Sequence, residues 1–223
     1  MKLLGLEMSS ARGSVAVSIG TQILERPIQT PREQTEQVLT LIDELLAEAG
    51  IALGDLDGIA FGRGPGSFTG LRVAAAVAQG LALARAKPLL PVSSLLALAQ
   101  SARRTAGVDA SLVCIDARMG EVYWAELNVV GGLAVHARDD ALGAPGALRR
   151  PAAARWSAVG NGFATYAQEL RALLADAEHV LADLAPSARD LFPKAGQDLA
   201  AGRVTPVPEA LPVYLREQGA WRR

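Results

Sequence analysis

The stretch Phe61-Gly62-Arg63-Gly64-Pro65-Gly66-Ser67-Phe68-Thr69-Gly70 joins an apolar segment, Leu56 to Phe61, to a run of small and apolar residues from Thr69 to Ala86. Four glycines and one proline in this stretch exclude regular secondary structure and allow the backbone to turn tightly. The apolar segment has the length of a buried strand, and the run after the loop has that of a helix. We therefore predict a strand, a tight loop and a helix, in that order.

A glycine-rich loop before a helix can present backbone N–H groups to an anion. This loop lacks the Gly-Lys-Ser/Thr sequence of a P-loop, and Ser67 stands where a dinucleotide-binding pattern starting at Gly62 would need its third glycine. Two interpretations therefore stay open, a tight turn without a ligand and an anion site. The candidate anion- or nucleotide-binding residues are Ser9, Ser10, Gly64, Gly66, Ser67, Thr69 and Arg118.

The residues on either side of the loop predict the rest of a first half. Thr30-Pro31-Arg32-Glu33 combines a capping box with proline at the first helical position, so a helix is predicted from Pro31 to Ala49. A further helix begins at Ser93 or Ser94. Short apolar segments predict strands at Leu3 to Leu6, Ser14 to Ile19, Gln22 to Arg26 and Leu89 to Val92.

The second half repeats this plan. Strands are predicted at Leu112 to Ile115, Val122 to Leu127, Leu133 to His136 and Trp156 to Val159, with a helix from about Phe163. Each half begins with an apolar strand that ends in an acid, Glu7 or Asp116, followed by a turn and a second strand. This duplicated β-β-β-α-β-α order resembles the plan of the actin, Hsp70 and sugar-kinase (ASKHA) superfamily, an α/β fold of two subdomains. We assign residues 1–106 to the first subdomain and 107–223 to the second, of which about 206–223 could pack back on the first.

Composition restricts the function classes. The net charge of −1 argues against an autonomous nucleic-acid binder, because phosphate contacts need a positive field. Cys114 is the only cysteine, so an intrachain disulfide is excluded. The apolar stretch after Lys2 is too short for a signal peptide, and Leu71 to Ala86 is shorter than the roughly 20 apolar residues of a membrane span. We expect a soluble cytoplasmic protein without membrane association.

Residues for metal or acid–base chemistry are sparse. His136 and His179 are the only histidines and are far apart, so we predict no metal site. Asp116 and Glu121 could act as an acid–base pair, but Arg118 lies between them and favours a charge-satisfied turn. Ser9 and Ser10 either bind an anion or bond their own backbone.

The glycine loop, continued by Leu71-Arg72 and by Ala78 to Leu83, closely resembles the signature of the TsaB (YeaZ) family of tRNA threonylcarbamoyladenosine biosynthesis proteins. Further agreement comes from Pro31-Arg32-Glu33 with Thr35, from Ile115 to Glu126, and from Pro212 to Arg216 with Ala220-Trp221. The resemblance covers nearly the whole chain and is densest in residues 1–130.

The resemblance implies a non-catalytic scaffold or activating subunit. Such a subunit forms a heterodimer with a homologous catalytic protein, TsaD, and works with the ATPase TsaE to place threonylcarbamoyl on adenosine 37 of ANN-decoding tRNAs. No catalytic residue is then expected in this chain, and tRNA would be contacted only through the complex. ATP or ADP would bind weakly or at the partner interface, and a homodimer could form when the partner is absent.

Most members of the family have Asp-Thr or Asp-Ser where this chain has Glu7-Met8. Met8 offers no hydroxyl to a phosphate, so the departure counts against ATP hydrolysis by this chain alone. The alternative function is an autonomous ATP-binding actin-like phosphotransferase, which would use the glycine loop for phosphate and Glu7 or Asp116 for magnesium. A metalloprotease is a third and weaker alternative, because the sequence contains no predicted metal site.

The helices Pro31 to Ala49 and Thr69 to Ala86 are predicted to form the dimer surface, as they do in the resembling family through a four-helix bundle. The second helix carries Ala76, Gly80 and Ala84 at four-residue spacing, and such stripes allow close helix approach. Arg63 and Arg72 beside the loop could contact a phosphate or a partner carboxylate, or be paired locally. The predicted partner-binding residues are Leu39, Ile42, Leu46, Val73, Ala76, Val77, Gly80 and Ala84.

Overall fold

The computed structural model describes residues 1–216 and contains two five-stranded mixed sheets. In the first sheet the strand order is β3-β2-β1-β4-β5, with β1 antiparallel to β2 and parallel to β4. The sequence predicts every one of these elements, but it wrongly excludes regular structure from the whole glycine loop. β4 continues to Gly64, because Gly62 and Gly64 still pair with β5, and α2 begins at Phe68. The elements of this half are β1 Lys2–Glu7, β2 Gly13–Ile19, β3 Gln22–Ile28, α1 Pro31–Glu48, β4 Gly58–Gly64, α2 Phe68–Arg85, β5 Leu89–Ser93 and α3 Ser94–Ala106.

The second sheet has the strand order β10-β9-β6-β7-β8, which is the order of the first sheet read from the other edge. Its first strand, β6, is again antiparallel to the next strand and parallel to β9. The repeat confirms the duplicated actin-like α/β fold. The elements are β6 Ala110–Arg118, β7 Glu121–Val130, β8 Leu133–Gly143, β9 Ser157–Val159, α4 Gly162–Thr165, α5 Arg171–Leu174, β10 Val180–Leu181 and α6 Phe192–Ala200.

The second half departs from the predicted elements in two places. β7 and β8 form a longer hairpin than the apolar pattern indicates, because an antiparallel ladder continues where polar residues face solvent. The helix predicted from Phe163 is a single turn, α4, because the chain turns to bury both Phe163 and Leu170 beneath the sheet. Residues 144–156 contain only a short 3-10 turn, Pro145–Ala147, so this half has no counterpart of α1.

The two sheets share one core. Helices α3 and α6 supply Leu95, Leu98, Phe192 and Ala195 to a cluster that also contains residues of both sheets. A second cluster lies on the other face of the first sheet, under α1 and α2, and a third surrounds Trp156 on the second sheet. Apolar residues thus join the halves into one packed body. Within residues 1–216, no helix has the length and hydropathy needed to cross a membrane.

Polar caps fix where the helices begin. The Glu33 amide donates to Oγ1 of Thr30, and the Thr30 amide donates to Oε2 of Glu33, which is the predicted capping box. The Leu96 amide donates to Oγ of Ser93, so Ser93 is the cap of α3. Each of these bonds satisfies an N–H group that the first turn of a helix leaves without a partner.

Residues 205–214, which we call the C-terminal strap, return to the first half. Thr205 bridges Leu89 at the edge of β5, and the Val213 amide donates to the Arg63 carbonyl at 2.8 Å. Gln79 of α2 donates through Nε2 to two strap carbonyls, those of Val207 and Ala210. The strap therefore runs along α2. The predicted family residues Ala220-Trp221 lie outside the described residues.

Candidate functional site

A cleft of about 1040 Å³ separates the two halves. It opens where β1 and β6 end, and crevices at the carboxyl ends of parallel strands are where ligands bind in open α/β sheets. Its walls come from the turn after β1, the end of the glycine loop, α3, the β6–β7 turn and residues 182–186. Of the candidate anion-binding residues, Ser9, Ser10, Gly66, Ser67 and Arg118 line the cleft, whereas Gly64 and Thr69 do not.

Glu7, the last residue of β1, is fully buried and lies behind the cleft wall. Its Oε1 accepts from the Ser9 amide at 2.7 Å, and its Oε2 accepts from the Ser94 hydroxyl at 3.0 Å. Ser94 in turn accepts from the Gly64 amide at 3.3 Å. Burial raises the pKa of the Glu7 carboxyl, although hydrogen bonds from Ser9 and Ser94 oppose the shift. Glu7 thus ties the turn after β1 to the glycine loop and to α3, and it does not offer an oxygen to the cleft.

The glycine loop packs directly on the turn after β1. The Ser67 amide donates to the Ser9 carbonyl at 2.7 Å. A Cβ atom on Gly66 would lie 2.4 Å from that same carbonyl oxygen, and one on Gly70 would lie 1.8 Å from the Met8 carbonyl oxygen. Close backbone approach therefore explains these two glycines.

Met8 and Ser10, in the turn after β1, both make contacts within the chain. The Met8 side chain is buried in the cluster beneath α1 and α2, so an apolar residue at this position serves packing and not the cleft. The Ser10 hydroxyl donates to the Arg12 carbonyl within its own turn. The Ser10 hydroxyl therefore bonds the backbone of its own turn, which is one of the two interpretations that the sequence left open.

Asp116, at the equivalent point of the second half, is also engaged within the chain. Its carboxylate accepts from the Arg118 amide at 2.8 Å and from the Tyr166 hydroxyl at 3.1 Å, and it pairs with the Arg118 guanidinium at 3.2 Å. Glu121 pairs instead with Arg216, at 2.5 Å. The turn is charge-satisfied, as the sequence indicates.

Groups that could bind a metal are scattered. Within residues 1–216, no three His, Cys, Asp or Glu side chains lie close enough to hold an ion. His136 contacts Asp140 at 2.9 Å, at a distance from the cleft lining. Burial of the Cys114 thiol raises its pKa to about 12, which keeps it in the protonated form that binds metals poorly.

The face formed by α1 and α2 is the second candidate site. Ile42 and Leu46 lie in the core under these helices and offer little area to another protein. Leu39 is 57% exposed, and a Cβ atom on Gly80 would meet no atom within 4 Å. Of the other predicted partner-binding residues, Ala76 and Ala84 are exposed, and Val73 and Val77 are half-buried.

Two apolar residues of this face were absent from the sequence prediction. Phe68 is 48% exposed and Leu83 is 75% exposed. Phe68 lies four and eight residues before Arg72 and Ala76, so a search at four-residue spacing that included the first helical position would have found it. An exposed stripe that is apolar apart from Arg72 runs along α2.

Comparisons with known proteins relate the chain to proteins of tRNA threonylcarbamoyladenosine biosynthesis. A family model described as "TsaD: tRNA N6-adenosine threonylcarbamoyltransferase" matches residues 26–221. The chain is 36% identical over 230 residues to the tRNA threonylcarbamoyladenosine biosynthesis protein TsaB of Escherichia coli (strain K12), with 100% of this chain and 98% of that protein covered. The solved structure of YeaZ from Pseudomonas aeruginosa is similar with a TM-score of 0.89 and 38% identity, over 96% of this chain and 99% of the other.

A shorter match, 38% identical over 117 residues, relates the chain to the tRNA N6-adenosine threonylcarbamoyltransferase of Methylobacterium sp. (strain 4-46) and covers 50% of this chain and 33% of that protein. The TsaB match, by contrast, extends over the full length of both proteins, and the solved fold agrees over nearly all of this chain. The chain therefore belongs to the TsaB (YeaZ) family of tRNA threonylcarbamoyladenosine biosynthesis proteins.

Proposed function

We propose that this chain is a non-catalytic scaffold or activating subunit of the assembly that makes N6-threonylcarbamoyladenosine at position 37 of ANN-decoding tRNAs. The observation that carries the proposal is the internal engagement of both strand-end carboxylates. Glu7 is buried behind the cleft wall, and Asp116, which lines the cleft, is bonded to Arg118 and Tyr166. An actin-like phosphotransferase would use a carboxylate that is free to hold its magnesium ion, and here both candidates are held by other groups of the chain.

The partner is the homologous catalytic subunit, TsaD, and the docking surface is the α1–α2 face. Two features support this assignment. Exposed apolar area at Leu39 and Leu83 favours burial against another protein, and the open space at Gly80 lets a helix approach closely. The transferase relative is similar to half of this chain, so a partner of that kind could present a related surface. The same surface would pair two copies of this chain when the partner is absent.

The ATPase TsaE is the third member of the proposed assembly, and tRNA is contacted through the complex. The overall charge of −1 supports this division, since binding to a phosphate backbone by this chain alone would be weak. ATP or ADP would bind this chain weakly, or at its junction with the partner. The position of Glu7 behind the wall counts against an autonomous phosphotransferase, because it leaves the cleft without a magnesium ligand at the end of β1.

The decisive experiment is reconstitution of tRNA threonylcarbamoylation with purified components. We expect omission of this subunit to abolish or greatly lower product formation, and its addition to restore it. Calorimetry of the isolated chain with ATP and Mg²⁺ serves as a companion measurement and should show weak or no binding. Unchanged modification without the subunit would overturn the proposal, and tight Mg²⁺-dependent binding with turnover would favour the phosphotransferase.

A further inference from the structure

An arginine that stacks on one aromatic ring and donates a hydrogen bond to the hydroxyl of another stands at the start of α2. The Arg72 guanidinium carbon lies 3.8 Å from the centroid of the Phe68 ring, and Nε donates to the Tyr214 hydroxyl at 3.1 Å. The two rings are themselves in contact, with centroids 5.5 Å apart. Stacking and the hydrogen bond together restrict the guanidinium to one orientation, so little entropy remains to be lost when it binds.

The cluster combines residues that are far apart in the sequence. Phe68 and Arg72 belong to α2, whereas Tyr214 ends the C-terminal strap that Gln79 anchors along the helix. Leu211 of the strap is 59% exposed, and Tyr214 is 44% exposed. The exposed surface of α2 therefore continues onto the strap, and Phe68, Arg72, Ala76 and Gly80 follow one another at four-residue spacing. The cluster itself also lines the cleft, so this surface begins at the edge of the cleft.

The charge of Arg72 constrains what can cover this surface. Among residues 1–216, the guanidinium Nη atoms of Arg72 have no hydrogen-bond acceptor, and α2 contains no acidic residue. A protein that covered the stripe without supplying an acceptor would leave a buried, unpaired charge, which is strongly destabilising. A carboxylate matches the free edge of a guanidinium with two parallel hydrogen bonds.

We propose that the Phe68–Arg72–Tyr214 cluster is the polar anchor of the partner-binding face, and that the partner subunit places a carboxylate on the free edge of Arg72. The inference rests on the proposed function, and it adds the strap to the interface and names the chemistry of the partner residue. Aromatic and arginine side chains that are held in place are the residue types that dominate binding energy at protein interfaces.

The test measures the affinity of this chain for the catalytic homologue with which it is proposed to pair. Arg72→Ala should weaken binding by about tenfold or more, because it removes a charge pair that binding desolvates. Tyr214→Phe, which removes only the hydroxyl that orients Arg72, should weaken it by about threefold. Arg171→Ala, at an exposed position of α5 in the other half, is the matched control and should stay within about twofold.

Charge reversal then tests the chemistry. Arg72→Glu should abolish binding, and a single Asp→Arg or Glu→Arg substitution in the partner should restore it. Thermal unfolding of each variant of this chain, measured alone, should stay near that of the wild type, which separates lost contact from lost fold. Failure of every partner reversal to restore binding would overturn the inference.

Other outcomes are equally decisive. Equal affinities for Arg72→Ala and Arg171→Ala would overturn the carboxylate contact while leaving the proposed function intact. If Arg72→Ala leaves partner affinity unchanged but weakens tRNA binding by the assembled pair, the cluster contacts RNA phosphate instead. If the wild-type chain itself does not bind the catalytic homologue, it is the proposed function that fails.

Discussion

Gly62 and Glu7 lie side by side on adjacent parallel strands, and a Cβ atom on Gly62 would be 2.0 Å from Oε2 of Glu7. The carboxyl group fills the space that a side chain at residue 62 would need, because bonds from Ser9 and Ser94 hold it there. The first glycine of the loop is therefore required by its neighbour. The glutamate and the glycine form one packing unit.

Gly62→Ala should destabilise the protein by about 1–3 kcal/mol, because the added methyl group forces the buried Glu7 side chain to move. The cost should be smaller when Glu7→Ala is already present, with a coupling energy of about 0.5–3 kcal/mol. Urea denaturation of the wild type, the two single variants and the double variant measures this cycle. Gly80→Ala, at the open site on α2, is the control and should be neutral or stabilise by up to about 1 kcal/mol. Equal costs in both backgrounds would contradict the packing unit.

Glu7 should also make stability depend on pH. Burial raises its pKa in the folded state above the ordinary value of 4.5, so the folded protein holds this proton more tightly than the unfolded chain does. The free energy of unfolding that Glu7 contributes is therefore fully present below about pH 4.5 and falls as the pH rises through the folded-state pKa.

Glu7→Gln removes this titration, so the stability of the variant relative to the wild type should increase as the pH rises above 4.5. Urea midpoints measured across this pH range give the comparison. Glu44→Gln, at an exposed position of α1, controls for the loss of one carboxylate. Parallel pH profiles for Glu7→Gln and the wild type would show that Glu7 keeps its ordinary pKa.

Local signals explain why most of the fold could be predicted from the sequence. The capping box at Thr30, the glycine loop and the apolar strand segments each specify an element without help from distant residues. The sequence did not predict the full length of the β7–β8 hairpin, because β8 has no fully buried residue after His136 and therefore shows no apolar pattern there. Residues 144–156 gave no periodic signal, and the structure places no helix there.

The candidate sites depend on contacts between distant residues, which the sequence does not display. Arg72 and Tyr214 are 142 positions apart, and Glu7 meets Ser94 across 87 positions. Helical spacing puts Ile42 and Leu46 on an apolar face of α1. It does not show whether that face packs on the sheet or remains exposed to a partner, and here it packs on the sheet. Which side is covered follows only from the packing of α1 on the first sheet.

Asp190 is a buried carboxylate that links the two halves by pairing with the partly exposed Arg104, and its removal should be costly. The side chain is 3% exposed and accepts two bonds from Arg104, at 2.7 and 2.8 Å, and one from the Ser101 hydroxyl. Asp190→Ala should destabilise the protein by about 1–3 kcal/mol, because the buried Ser101 hydroxyl loses its acceptor and the partly exposed Arg104 loses its partner. Arg103→Ala, which removes a solvent-exposed pair with Asp109, should cost less than about 1 kcal/mol in the same denaturation assay. Similar losses of stability for the two variants would show that Asp190 contributes no more to folding than a surface ion pair does.

Gly80→Arg tests the α1–α2 face directly. The site is open in the isolated chain, so the long side chain should extend into solvent and leave the monomer folded. Against a partner helix, the same side chain would occupy the space of close approach, and we expect heterodimer formation to be lost. Co-purification with the catalytic homologue measures the effect, and circular dichroism confirms folding. Gly146→Arg, at an exposed and open position of the second half, should bind like the wild type. Co-purification of Gly80→Arg at the wild-type ratio would place the partner on another surface.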